Sequence, residues 1–210
     1  MKHNPVSVTI APDEPTVDRI TQKVMFVDKA IKDKLLVQVV GDTDRVIVFT
    51  RMKYAANRVA EKLESAGISA AAILGNKSQS ARTRALDGFK AGDVQVLVAT
   101  DIAARGIDVR GVRLVVNYHL PMETESYVHR IGRTARAGND GDAISFCEAS
   151  ERDLLRDIER AIKKSIPVDD SHSFHSEQAA QAKGADAKPA ARKQQNRGNR
   201  NQRRNRRRRN

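Results

Sequence analysis

VQVLVATDIAARGID, residues 94–108, is a β-branched run that stops abruptly at a polar turn. Val94, Val96, Leu97 and Val98 make a strand that is apolar on both faces, as expected where helices cover each side of a parallel sheet. Thr100 and Asp101 mark its end, Gly106 permits close backbone approach, and Asp108 offers a carboxylate. Further strand candidates lie at 23–27, 46–50, 70–74, 114–118 and 143–147, several of them continuous apolar runs (VIVF, LVV). Between them the period changes to that of a helix. Ala55, Val59, Leu63 and Ala66 recur at steps of four, four and three, and Gly67 supplies a stop. Leu154, Leu155, Ile158 and Ile162 repeat the pattern, while Asp28 and Ser78 stand where helix N-caps are expected. Alternating strands and helices predict an α/β fold, an open and mainly parallel sheet with helices on both faces.

Composition bounds the setting. The chain has 210 residues, 40% hydrophobic and 30% charged, and no apolar run near the ~20 residues a bilayer crossing needs. MKHNPVSVTI lacks the apolar core and small-residue cleavage site of a secretory signal. One cysteine, Cys147 within AISFC, rules out an internal disulfide framework and fits a buried core residue in a reducing, cytoplasmic protein. Residues 183–210 carry twelve Lys or Arg against the single acid Asp186, a net +11 of the chain's +12. That leaves +1 for residues 1–182, so the basicity belongs to the tail. Residues 1–19, with Pro5, Pro12 and Pro15, read as a leading segment, and 20–167 as the domain. Residues 168–210 hold too little apolar surface to offset chain entropy and are expected to be disordered.

In open α/β sheets, ligands gather at the carboxyl ends of the strands. Three polar segments are expected there: LGNKSQSARTR (74–84), ATDIAARGID (99–108) and HRIGRTARAG (129–138). His129, Arg130, Arg133 and Arg136 fall within eight residues, a guanidinium density suited to a phosphate chain, with a solvated basic helix as the plainer alternative. Asp108 suits either a ribose hydroxyl or a turn. Gly75 and Asn76 form a turn, Ser78 opens a helix, and Gln79 and Arg82 lie on its first turns, where free amides bind phosphate.

These segments, in this order, resemble the second (C-terminal) RecA-like domain of DEAD-box ATP-dependent RNA helicases. FTRMK (49–53) resembles motif IV, GNKSQSAR the phosphate-gripping motif after it, ATDIAARGIDV motif V and HRIGRTAR motif VI. The resemblance covers roughly residues 20–165. QKVMFVDKA, GNKSQSARTRAL and LLRDIE resemble the bacterial RhlE-like branch, and Leu74 departs from the His that many relatives carry there.

The resemblance implies two surfaces. Toward ATP, Arg133 and Arg136 are expected to be arginine fingers and Asp108 a ribose ligand, with His129 and Arg130 linking the site to the interdomain cleft. Toward RNA, Arg51, Gly75, Asn76, Gln79, Arg82, Thr100 and Gly106 are expected to touch the sugar-phosphate backbone, which positions a strand without reading its sequence. The family's first domain carries a GxxxxGK[ST] loop and a DEAD tetrad that holds Mg²⁺; neither occurs in this sequence. The chain is therefore expected to be inactive alone, with RNA and the missing first domain as partners, and RNase E or other RNA-decay or ribosome-assembly proteins beside them. The alternatives are a stand-alone RNA-binding or chaperone module, or a protein-docking module, driven by the basic tail. HSFH (172–175) has metal-like spacing but no supporting acid or cysteine cluster, and Tyr118 and Tyr127 read as packing residues.

Overall fold

Each β-branched run forms a strand in the computed structural model, which describes residues 19–75, 78–104, 107, 109–135 and 140–189. The strands are β1 (Ile20–Phe26), β2 (Val46–Phe49), β3 (Ala70–Ile73), β4 (Val96–Ala99), β5 (Leu114–Asn117) and β6 (Gly141–Cys147). All pair in parallel, in the order β1-β6-β5-β2-β4-β3. The helices are α1 (Lys32–Val40), α2 (Lys53–Ser65), α3 (Gln79–Ala91), α4 (Asp101–Ala104), α5 (Thr124–Ile131), α6 (Arg152–Ile162) and α7 (Glu177–Gln181). The expected open parallel α/β sheet is the fold.

Side-chain alternation divides the core. Met25, Val48, Val98 and Val116 face one side, where Leu35 and Leu36 of α1 and Val59 and Leu63 of α2 cover them. Val24, Phe26 and Ala143 face the other side under Tyr127 of α5 and Leu155 and Ile158 of α6. Ile47, Phe49, Leu97 and Val115 continue that face beside Phe89 of α3. Cys147 is fully buried, and burial pushes its thiol pKa up, so it packs as a small apolar residue. Tyr118 and Tyr127 are buried too, and their hydroxyls donate to Asp33 Oδ1 and Gln22 Oε1.

Two local expectations meet different outcomes. The Ser78 hydroxyl accepts the Ala81 amide and caps α3. Asp28 caps nothing with its side chain; its carboxylate instead accepts the Ser176 hydroxyl from 148 positions away. Residues 168–189, expected to be part of a disordered tail, lie against the domain. Val168 bridges Val24 in parallel, the Ser176 amide donates to Phe26 O, and Ala179 and Ala187 are fully buried. The segment holds few large apolar residues, Phe174 packing against the core among them, and adds backbone hydrogen bonds to the sheet-edge strand β1 and alanines small enough for close packing. Composition scores neither device.

Candidate functional site

Strand β4 delivers its polar end directly into α4, and this junction anchors the site. Thr100 is buried at the strand end, and Asp101 opens the helix. The Arg130 guanidinium, 1% exposed, forks onto Asp101: Nε donates to Oδ1 at 2.6 Å and Nη2 to Oδ2 at 2.8 Å. Its Nη1 donates to Asn117 Oδ1 at 3.1 Å and to His119 O at 2.7 Å, and the group lies 5.1 Å from the centre of the Phe49 ring. Asn117 in turn donates to Ser145 Oγ. Arg130 is therefore an internal strut joining the ends of β4 and β5 to α5, rather than a free anion ligand. Its planar fork fits this bidentate geometry, which an ammonium cannot reproduce.

Arg133 sits one turn on. Its Nη1 donates to Ile107 O at 3.0 Å and its Nε to His129 O at 3.3 Å. Arg133, His129, Arg130, Asp101, Ser126 and Phe49 line a solvent-facing pocket of about 240 Å³. Motif VI occupies the C-terminal end of α5 and the turn beyond, and the Arg130 strut connects it to the strand ends. Asn76, Gly106, Asp108 and Arg136 lie outside the described residues.

The other sequence candidates divide between exposed and internal positions. Gln79 and Gly75 are exposed beyond β3. Arg82 is half-buried and donates through Nη2 to Ala103 O at 3.3 Å, tying α3 to α4. Arg51 turns inward: Nη2 donates to Glu151 Oε1 at 2.7 Å and to Leu120 O at 3.0 Å. Its partner Glu151 is fully buried and also receives Lys32 Nζ at 2.8 Å and the Leu120 amide at 3.2 Å. Lys32, itself 1% exposed, completes its shell at Tyr118 O. This hub pins the ends of β2, β5 and β6 and the start of α1 to one another. Sequence reading missed Lys32, Asp101, Asn117 and Glu151. For Asn117 the available signal was a lone polar residue closing an apolar run, LVVNY, whereas Lys32 is one of three adjacent charges in AIKDKLL and carried no such signal.

His119 lies between these networks. Its Nδ1 accepts the Arg51 amide, and burial, with Lys32, Arg51 and Arg130 nearby, lowers its pKa from 6.5 to about 2. A depressed histidine pKa means that the unfolded chain binds the proton first. The stabilising contribution is complete above pH ~6.5 and is lost as pH falls toward 2. Each unit below 6.5 costs up to about 1.4 kcal/mol. Urea unfolding should therefore show a loss of about 2–3 kcal/mol from this group between pH 6.5 and 4.5, and His119→Gln should remove most of that slope. An unchanged slope in the variant would place the titration elsewhere.

The family described as the helicase conserved C-terminal domain matches residues 30–138. The ATP-dependent rRNA helicase RRP3 of Candida glabrata is 41% identical over 168 residues, 78% of this chain and 34% of that protein. The chain thus spans about a third of the length of the curated relatives it matches. Among solved structures, the E. coli DEAD-box protein SrmB, bound to regulator of ribonuclease activity A, is 38% identical with a TM-score of 0.71, covering 75% of this chain and 95% of that one. A DEAD box protein from Methanococcus jannaschii is 39% identical with a TM-score of 0.68, covering 72% and 42%. With the residue match and the fold match in agreement, the chain belongs to the helicase conserved C-terminal domain family, as a C-terminal RecA-like domain of the DEAD-box type.

Proposed function

We propose that this chain is the C-terminal half of an ATP-dependent DEAD-box RNA helicase, of the RhlE-like branch, which supplies the arginine fingers for ATP hydrolysis and part of the RNA grip. The observation that carries this reading is Arg133, oriented by two backbone carbonyls on the wall of an open pocket beside the Arg130–Asp101 strut. In the closed motor, Arg133 and Arg136 neutralise charge developing on the γ-phosphate, and Asp108 holds a ribose hydroxyl. His129 and Arg130 relay the position of this site to the end of β4. Mg²⁺ accompanies ATP on the first domain's carboxylates.

The RNA grip forms at the carboxyl edge, where Thr100, Gly106, Gly75, Asn76, Gln79 and Arg82 meet the phosphate backbone. Arg51 serves this edge through Glu151 and the Leu120 carbonyl, as a residue that shapes the loop as well as a contact. Partners are RNA and a first RecA-like domain, with RNase E or other RNA-decay or ribosome-assembly proteins in the same cytoplasmic setting.

The test is phosphate release. Alone, with saturating RNA, the chain should hydrolyse no ATP above a control carrying Arg133→Ala and Arg136→Ala. Mixed with the first RecA-like domain of a DEAD-box relative, it should restore RNA-stimulated hydrolysis. Hydrolysis by the chain alone, or no rescue in the mixture, would overturn the reading.

A further inference from the structure

In the sheet, β1 pairs with β6 alone, so the other side of its backbone is left for the segment that follows α6. Residues 168–189 cover it as a strap. Pro167 O accepts the Val24 amide, the Asp169 amide donates to Val24 O, and the Ser176 amide donates to Phe26 O. The strap also crosses from one face of the sheet to the other. Phe174 packs with the cluster under α1 and α2, and Ala179 is buried in the cluster under α5 and α6.

His172 and His175 lie on this crossing. His172 is 7% exposed, and neither of its buried ring nitrogens has a hydrogen-bond partner among the described residues. His175 meets Phe26 edge-on, with ring centres 6.2 Å apart, and its Nδ1 is buried and unpartnered as well. The two imidazoles are 6.0 Å apart. A neutral imidazole fits such a site. An imidazolium brings a charge and a second N–H donor to a place that offers neither solvent nor acceptor. Burial, and then the neighbouring His175, hold the His172 pKa below its ordinary value, against the opposing pull of the Asp169 and Asp170 carboxylates and the Asp169 backbone.

The other charged groups at this interface have partners of their own. Asp169 accepts from the Ser171 hydroxyl and from Lys23 Nζ of β1, which lower its pKa to about 2 and keep it ionised at neutral and mildly acid pH. Glu177 Oε2 lies 3.5 Å from His175 Nε2, and Asp28 accepts the Ser176 hydroxyl. On α6, Arg152 lies over the Phe26 ring and donates to Ala180 O, while Arg156 donates to Ala182 O and to Asp153.

We propose that His172 is the catch of a pH-operated latch: neutral, it lets the strap close over the edge of β1, and protonated, it releases the strap. No ATP or RNA contact enters this device, so it stands apart from the helicase reading. Release uncovers the Val24 and Phe26 backbone groups, and an open strand edge is a template for pairing with another chain. Freed, the strap exposes His172 to water, where imidazole titrates near pH ~6.5; docked, it resists the proton. Docking is therefore complete above pH ~6.5 and weakens as pH falls, by up to about ten-fold for the first unit below that value.

Hydrogen exchange read by mass spectrometry, corrected for the intrinsic pH dependence of exchange, follows strap and core separately in the full chain. Between about pH 7.5 and 5.5, protection of residues 168–189 should fall several-fold, up to about ten-fold. His172→Phe keeps an apolar ring of similar size and cannot titrate, so its strap should hold at pH ~5.5 the protection it has at pH ~7.5. Peptides of β2, β4 and β5, whose own pH dependence comes from His119, should change alike in both proteins. If circular dichroism shows that His172→Phe does not fold, His172→Gln, which also cannot titrate, takes its place. Strap protection that does not change with pH would overturn the latch. So would a fall as large in the non-titrating variant as in the unaltered chain, which places the titration on another group. Loss of strap protection at pH ~7.5 on adding EDTA would also overturn it, since the two imidazoles would then be metal ligands.

Discussion

In a mixture with a first RecA-like domain, Arg133→Ala should slow RNA-stimulated ATP hydrolysis by about 10³-fold or more. An arginine finger acts only on charge that develops in the transition state, so the loss should fall on kcat and leave the KM for ATP within a few-fold. Arg133→Lys should recover little, because the ammonium cannot keep both the Ile107 and His129 carbonyl contacts while presenting a fork to phosphate. The fold should tolerate the change, since Arg133 is only half-buried and the contacts to the Ile107 and His129 carbonyls are side chain to backbone. Steady-state phosphate release with urea unfolding as a control separates the outcomes. A rate within about three-fold of the unaltered chain would remove Arg133 from the finger role.

The largest stability effect belongs to Glu151. Glu151→Ala leaves Lys32 buried without its closest carboxylate partner and strips acceptors from Arg51 and the Leu120 amide. Removing one partner of a buried ion pair costs about 3–5 kcal/mol, a large share of a domain's stability. Pairing the change with Lys32→Met should recover much of the loss, because the uncompensated charge disappears with it. Urea denaturation of the single and double variants measures the coupling. A cost below about 1 kcal/mol for Glu151→Ala would show that water or Glu148, whose carboxylate lies 3.5 Å from Lys32 Nζ, already satisfies the site.

Sheet and helices were legible because hydrophobic period is a local property. VLVAT, VIVF and LVV announce strands covered on both faces, and the 55–63 pattern announces α2. The order of the strands was not read from these runs, and neither was the exchange of partners that places Asp101 under Arg130. Those are long-range facts, 29 residues apart in the chain and 2.6 Å apart in space. A cluster of arginines reads as an anion site whether its members face outward or, like Arg130, hold the protein together. Arg51 and Arg82 have the same ambiguity, since each is partly spent on carbonyls or carboxylates of neighbouring loops. Residues 168–189 were misread for a different reason. Alanines on a helix of five residues carry no hydrophobic signature of their own and become core only when β1 and α6 supply the other half.

We propose that this domain is one half of a clamp that ATP closes on RNA. The most direct test is RNA affinity in a mixture of residues 1–189 and a first RecA-like domain, measured with and without a non-hydrolysable ATP analogue. Omitting residues 190–210 keeps arginine-tail binding from masking the core. Closure couples the two ligands, so the analogue should tighten RNA binding at least about ten-fold, a coupling near 1.4 kcal/mol, and Arg133→Ala should weaken that coupling. RNA affinity that is the same with and without nucleotide would contradict the account.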